Sequence, residues 1–360
     1  MSTTTARRVR SVALGTVLGL VLGLGATSIS PAGAAVRRGS DPVTLHLGYF
    51  DNVTHAPALV ALEGGLLKDE LGKTASLETS IFNAGPAEVQ AILSGSIDAG
   101  YIGPNPTVTA YVQSHGAIQV VSGVASGGAY FVVKPDIKKP KDLKGTTIAS
   151  PQLGNTQDVA LRSWLKSKGL KTDAQGGGDV SIRPQDNAVT LQAFQQGDID
   201  GAWVPEPWAT RLVTEGGGHI LVDEAKLHPG GQYVTTDLIV RKDFLKANPG
   251  VVSALLTANL RAIDLIQHQP AKAEKLVGDR IRSDTGKTLA ADLITASFGN
   301  ITFTPDPVAS SLVASAKSAV GLGLPGAVVL TKADVKKLYN LKLLNKVLKS
   351  LGQPAVKATA

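Results

Sequence analysis

"LQAFQQGDIDGAWVPEPW", residues 191–208, repeats an earlier stretch of the chain, "VQAILSGSIDAGYIGPNP", residues 89–106. At a constant offset of 102, Gln90 meets Gln192, Ala91 meets Ala193, Gly95 meets Gly197, Ile97 meets Ile199 and Asp98 meets Asp200. Each copy reads as an amphipathic helix closed by a glycine. An Ile-Asp pair then leads into a short buried strand and a proline-rich loop. The same offset lays Thr54 over Thr156, Ala58 over Ala160 and Leu59 over Leu161. A strand precedes each of these segments, "VTLHLGYF" (43–50) and "GTTIAS" (145–150), and "YFVVKPDI" (130–137) matches "LIVRKDFL" (238–245).

A register shared by separate segments points to two α/β lobes in one chain. Strands that alternate with helices imply parallel sheets. The boundaries follow from the repeats: lobe 1 takes residues 41–127 and 237–350, and lobe 2 takes 128–236. Ligands of open α/β sheets bind at the carboxyl ends of the strands, so two such lobes predict a shared cleft.

The chain has 360 residues, 43% hydrophobic and 18% charged, ample for a packed core. It has no cysteine, which excludes a disulfide scaffold, a thiolate metal site and a cysteine nucleophile. Residues 1–34 read as an export signal: basic "ARRVR", apolar "SVALGTVLGLVLGLG", then small-residue "AGA" with cleavage after Ala34. The rival reading is an uncleaved anchor, but the apolar run is short and glycine-rich for a span. No second apolar run reads as long enough to cross a bilayer. The lysine-rich "KPDIKKPKDLKG" (134–145) reads as a solvated loop, and no basic run interleaves with aromatics as in single-strand nucleic-acid binders.

"PQLGNTQDVALRSWL" (151–165) is a polar loop running into a helix, with Gly154, Asn155 and Thr156 at the helix start. Asn52, Thr54 and His55 hold the matching place in the other lobe. A helix start presents backbone N–H groups without partners and roughly half a positive charge. Two such ends facing one cleft make an anion site that needs no arginine. The same residue types also cap helices, and the sequence alone does not separate the two roles. Asn105 and Thr107, after Gly103-Pro104, stand at another strand end and are further contact candidates. His55 suggests a donor titrating near neutral pH. Glu206, between two prolines, caps the following helix or pairs with a ligand ammonium; Trp208 walls the apolar end of the pocket or packs. The histidines show no i,i+4 pair and no HExxH, so no metal is expected. No GxSxG string and no GxxxxGK[ST] string occurs, so neither a serine nucleophile elbow nor an ATP site is expected.

"PQLGNTQDVALRSWL", "GPNP" and "GAWVPEPWATRLV" resemble the extracytoplasmic solute-binding proteins of ABC importers, nearest the aliphatic sulfonate, taurine and nitrate branch. The resemblance runs from about Val43 to about Pro354. It implies a type II periplasmic-binding-protein fold, with two α/β lobes, two chain crossings and a ligand cleft between them. It implies a monomer without cofactor that binds a small anion, foremost an alkanesulfonate, and hands it to a membrane permease. Nitrate, bicarbonate and a pyrimidine thiamine precursor stay open as ligands on related scaffolds. An extracytoplasmic enzyme on the same fold is the reading from another class.

Overall fold

The computed structural model describes residues 42–324 and 326–359. Residues 1–34, read above as an export signal, lie outside the described residues. The strands are β1 (Val43–Tyr49), β2 (Ala75–Ile81), β3 (Ala99–Ile102), β4 (Ile118–Gly127), β5 (Ala129–Val133), β6 (Thr147–Ser150), β7 (Ser181–Pro184), β8 (Gly201–Pro205), β9 (His219–Asp223), β10 (Val234–Arg241) and β11 (Ile301–Phe303). The helices are α1 (Ala56–Glu63), α2 (Leu66–Leu71), α3 (Gly85–Ser94), α4 (Pro104–Gln113), α5 (Thr156–Ser167), α6 (Asn187–Gln196), α7 (Trp208–Thr214), α8 (Lys242–Ala247), α9 (Pro249–His268), α10 (Pro270–Thr285), α11 (Ala291–Gly299), α12 (Ala309–Gly321), α13 (Lys332–Leu338) and α14 (Lys342–Ser350).

Among the described residues the strands form two sheets, ordered β11-β4-β10-β3-β1-β2 and β7-β6-β8-β5-β9. The chain leaves the first sheet after β4, builds the second from β5 to β9, and returns at β10. Because β10 begins at Val234, the return falls before residue 237.

The sheets are mixed, not parallel throughout. β1 runs parallel to β2 and β3, and β6 to β7 and β8. β10 is antiparallel to β3 and β4, and β5 is antiparallel to β8 and β9. The reason is the same in both sheets. β5 and β10 are the first strands after a crossing, so each starts at the edge where the sheets meet and runs away from it. The strands fed by crossover helices of their own sheet end at that edge.

The crossings are bonded to each other. Gly127 donates its N–H to the Tyr233 carbonyl at 3.2 Å, and Ala129 N–H donates to the Tyr233 hydroxyl at 3.0 Å. The Thr235 hydroxyl donates to the Gly127 carbonyl at 2.6 Å. Gly127 and Gly128 both take positive φ, 85° and 78°, where a side chain is strained. A Cβ on Gly128 would also lie 2.4 Å from Ile301 Cγ1.

The sequence repeat has a structural meaning. Gly95 and Gly197 end α3 and α6 in the left-handed conformation. The aspartate that follows each pins a strand of its own sheet, β1 for Asp98 and β6 for Asp200. Asp98 accepts from His46 N–H at 3.0 Å and Asp200 from Thr147 N–H at 2.9 Å. The return bonds, Asp98 N–H to His46 carbonyl and Asp200 N–H to Thr147 carbonyl, are both 2.8 Å. A cation at the far end of each first-after-crossing strand completes the unit: Arg241 with Asp98 at 3.6 Å, Lys134 with Asp200 at 2.9 Å. Lys134 thus corresponds to Arg241, one position from the alignment of "YFVVKPDI" with "LIVRKDFL".

Each sheet is covered on both faces, which is why strands such as "AYFVV" and "GAWVP" are buried throughout. In the first sheet one face packs Leu45, Leu47, Leu59, Leu255 and Leu256, and the other packs Val89, Ile92, Tyr111 and Leu312. In the second, Phe131 stacks on Trp203 at 5.5 Å on the α5 side, and Phe194 and Leu212 fill the other. Helix α9 is, by length and composition, apolar enough to cross a bilayer, unlike the sequence reading; here 56% of its apolar window is buried in the protein.

The paired aspartates predict matching losses. Replacing Asp98 or Asp200 by alanine leaves the N–H of His46 or Thr147 without its acceptor and removes one partner of Arg241 or Lys134, at a cost of about 1–3 kcal/mol each. Urea unfolding checks this; two variants as stable as the parent would contradict the assignment.

Candidate functional site

Where the two sheets meet, the loops after β1, β2, β3, β6, β7 and β8 enclose a cavity of about 20 Å³. Asn52, Thr54, His55, Asn83 and Gly103 line it from one lobe, and Asn155, Thr156, Gln157, Asn187 and Pro205 from the other. No charged carboxylate, ammonium or guanidinium is among its walls. A second cavity, about 220 Å³, adjoins it through Asn52, Asn83 and Asn187 and is walled by Phe82, Pro207, Trp208 and Leu289, with Asp51 at one side. Burial and the adjacent Asp284 carboxyl push the Asp51 carboxyl up from its ordinary value.

Thr156 is the first residue of α5. Asn155 caps that helix, its Oδ1 accepting from Gln157 N–H at 2.9 Å. The Thr156 hydroxyl is buried and has no protein partner. It points at Gly103 in the other lobe, where a Cβ would lie only 2.5 Å from its oxygen. Glycine there lets the hydroxyl into the cavity.

The matching end of lobe 1 differs from the sequence reading. Residues Val53–His55 form a single 3₁₀ turn before α1. Two of its N–H groups already have partners: Val53 donates to the Glu206 carbonyl across the cleft at 3.1 Å, and His55 to Asn52 at 2.9 Å. This end is therefore not a bare helix terminus, and its contribution lies in side chains. Asn52 Oδ1 accepts from Trp208 Nε1 at 2.9 Å, which leaves the Asn52 amide NH₂ as its donor.

His55 does not titrate near neutral pH. It is buried, its Nε2 sits 3.0 Å from the Tyr101 carbonyl, and burial lowers its pKa to about 3. A carbonyl only accepts, so Nε2 carries the proton and Nδ1 is bare. Nδ1 faces the Thr54 hydroxyl at 3.3 Å and accepts from it. The ring is neutral and has no donor left for an anion, contrary to the expectation from sequence.

Four other candidates are not brought to the cavity. Asn105 turns to α12, where its Oδ1 accepts from the Ser315 hydroxyl at 2.5 Å and its Nδ2 donates to the Ser315 carbonyl at 3.3 Å. The Thr107 hydroxyl donates to the Gly103 carbonyl at 2.9 Å. Both lie in the first turn of α4, which directs them along the helix. Gly154 supplies a left-handed turn (φ 75°), its N–H bound to Asp158 at 3.0 Å.

Glu206, the fourth, is a buried strut. It accepts from Thr210 N–H (3.0 Å) and hydroxyl (2.9 Å) at the start of α7, and from Asn300 (2.7 Å) and Ser297 (3.3 Å) in the other lobe. Burial raises its pKa and these donors hold it down. Trp208 walls the larger cavity, with Arg211 over its ring at 4.8 Å and that guanidinium paired with Glu215.

Two asparagines went unread in the sequence. Asn83 reaches across the cleft to Asp186 at 2.9 Å. Asn187 is buried, lines both cavities, and its Oδ1 has no partner. It is the first residue of α6, just after β7, the place that Thr156 holds in α5, and that position was the available signal. Among the described residues no three histidine, aspartate or glutamate side chains lie together as a metal site would require.

The sequence profile of the NMT1-like family matches residues 38–278. The taurine-binding periplasmic protein of Escherichia coli K12 is 32% identical over 207 residues, covering 57% of this chain and 62% of that protein. Two solved structures share the fold. The alkanesulfonate-binding protein of Xanthomonas axonopodis pv. citri, solved with MOPS, superposes with a TM-score of 0.67 at 20% identity over 81% of this chain and 98% of that one. The periplasmic nitrate-binding protein of Synechocystis PCC 6803 superposes with a TM-score of 0.72 at 19% identity over 87% of this chain and 90% of that one. The chain therefore has the periplasmic-binding-protein fold and belongs to the NMT1-like family.

Proposed function

We propose that this protein is the solute-binding component of an ABC importer. It works outside the cytoplasm, captures an aliphatic sulfonate in the cleft between its two lobes, and hands it to a membrane permease. It acts as a monomer, not an enzyme. The observation that carries the reading is the buried, unpartnered hydroxyl of Thr156 in a cavity walled only by neutral groups. Such a cavity suits an anion that keeps its charge at every physiological pH and needs only hydrogen-bond donors. The Thr156 hydroxyl and the Asn52 amide meet the sulfonate oxygens from opposite lobes, at the capped end of α5.

The cavity pair fits the two ends of an alkanesulfonate. The smaller, about 20 Å³, holds a compact head. The larger, about 220 Å³ against Phe82 and Trp208, takes the tail. Tyr101, at the end of β3, is fully buried in the core of its own lobe and does not wall this cavity. The named ligands of related proteins, taurine and alkanesulfonates, support the reading, and a nitrate ligand would leave the larger cavity without use.

Thr156→Val removes the hydroxyl at nearly constant volume. Calorimetry should show ethanesulfonate affinity lower by about 1–3 kcal/mol, with a smaller loss of stability because Asn155 still caps. Unchanged affinity would reduce Thr156 to a packing residue.

A second prediction concerns acid. Below pH about 6.5 the unfolded chain takes up a proton at His55, and the folded chain refuses it until about pH 3. That contribution to stability is present above 6.5 and is lost as pH falls, at up to about 1.4 kcal/mol per unit. His55→Gln, which can still donate to Tyr101, should show a shallower loss between pH 6.5 and 4.5 in urea melts. Equal slopes in parent and variant would show that His55 is not held neutral.

A further inference from the structure

Residues 331–360 carry seven lysines against one aspartate, six of the chain's net seven positive charges. All seven lysines are exposed. Among the described residues none of them forms an ion pair. The one carboxylate, Asp334, is occupied at the start of α13, accepting from Thr331 N–H at 3.0 Å and from its hydroxyl at 2.6 Å.

These charges frame an apolar groove. It measures about 650 Å³ and runs between α12, α13, the start of α14 and the terminal segment. Leu330, Val335 and Tyr339 form its floor, and Lys332, Lys336, Lys342 and Lys357 stand around it. Val329 and Leu351, 62% and 44% exposed, are large apolar side chains in the same region of the chain. A hydrocarbon floor ringed by unpaired cations is complementary to an amphiphile with an anionic head.

The face lies away from the ligand cleft. Asn340 N–H donates to the Val120 carbonyl at 2.9 Å, and Gln119 Nε2 to the Lys337 carbonyl at 3.1 Å. These are at the start of β4, whereas the crossing to the other sheet is at its end, Gly127. Seven residues of strand put about 20 Å between them.

We infer that this lysine-ringed groove docks on anionic phospholipid at a membrane surface, an acyl chain entering the groove while the lysines meet headgroup phosphates. Cations at such a surface are attracted over about a Debye length, so the interaction is salt-sensitive. Docking by this end leaves the cleft open to the surrounding solution. The inference does not depend on which ligand the cleft takes.

The test is co-sedimentation with vesicles of phosphatidylcholine alone and of phosphatidylcholine containing phosphatidylglycerol. The protein should bind only the second, and less as salt rises. The triple variant Lys336→Gln/Lys342→Gln/Lys357→Gln should bind about a hundredfold more weakly, roughly fivefold per lysine. Its thermal unfolding should match the parent, because all three side chains are exposed. Absent binding to phosphatidylglycerol vesicles, equal binding to both vesicle types, or full retention in the triple variant would each overturn the inference. Tighter binding to an oligoglutamate peptide than to phosphatidylglycerol vesicles would assign the face to an acidic protein segment and overturn it as well.

Discussion

The structure depends on one constraint: the chain crosses between its two sheets twice, at neighbouring places that are bonded to each other. Gly127, Ala129, Tyr233 and Thr235 tie the crossings through hydrogen bonds of 2.6–3.2 Å. Everything downstream follows from direction. A strand that enters from a crossing must run away from the gap, and β5 and β10 do so. Their neighbours end at the gap, so their loops and the following helix starts converge there. The same constraint sets the glycine requirement at 127–128, where two successive positive φ angles make the turn.

The convergence gives a polar cavity without charge, and the local bonding decides which polar groups remain available. Glu206 is saturated by donors from both lobes and acts as a strut across the gap. Burial keeps His55 a neutral ring, and the Tyr101 carbonyl fixes its proton on Nε2. What is left to donate is the Thr156 hydroxyl and the Asn52 amide NH₂. Neutral donors cost less to bury than cations and still match an anion through charge-assisted hydrogen bonds. They also leave no opposite charge in the cavity to titrate.

Much of the fold was legible in the sequence because the repeat carries position-specific chemistry. Gly95 and Gly197 take the left-handed conformation, and Asp98 and Asp200 each bond a strand N–H and its carbonyl, so the repeated geometry demands the same residues at the same spacing. Strand direction was not legible, because periodicity says which faces are buried and not where a strand enters its sheet. The candidate site was read in part. Thr156 and Asn155 stand at the cavity, as their place at the start of α5 suggested. Asn105 and Thr107 occupy an equally plausible strand end, and only the packing of α12 shows that Asn105 is taken by Ser315. The neutrality of His55 comes from its burial, and its tautomer from a carbonyl 46 residues away, neither of which a local pattern reports. Asn187 went unread because "RPQDNAVTL" carries no string that distinguishes a ligand loop from an ordinary helix start.

The central claim is that the neutral cavity captures a sulfonate. Calorimetric titration of the purified protein with ethanesulfonate, in parallel with nitrate, addresses it most directly. The account predicts saturable one-to-one binding of the sulfonate with a Kd in the micromolar range, about −8 kcal/mol, and weaker binding of nitrate. Binding of nitrate with no heat from any alkanesulfonate would contradict it.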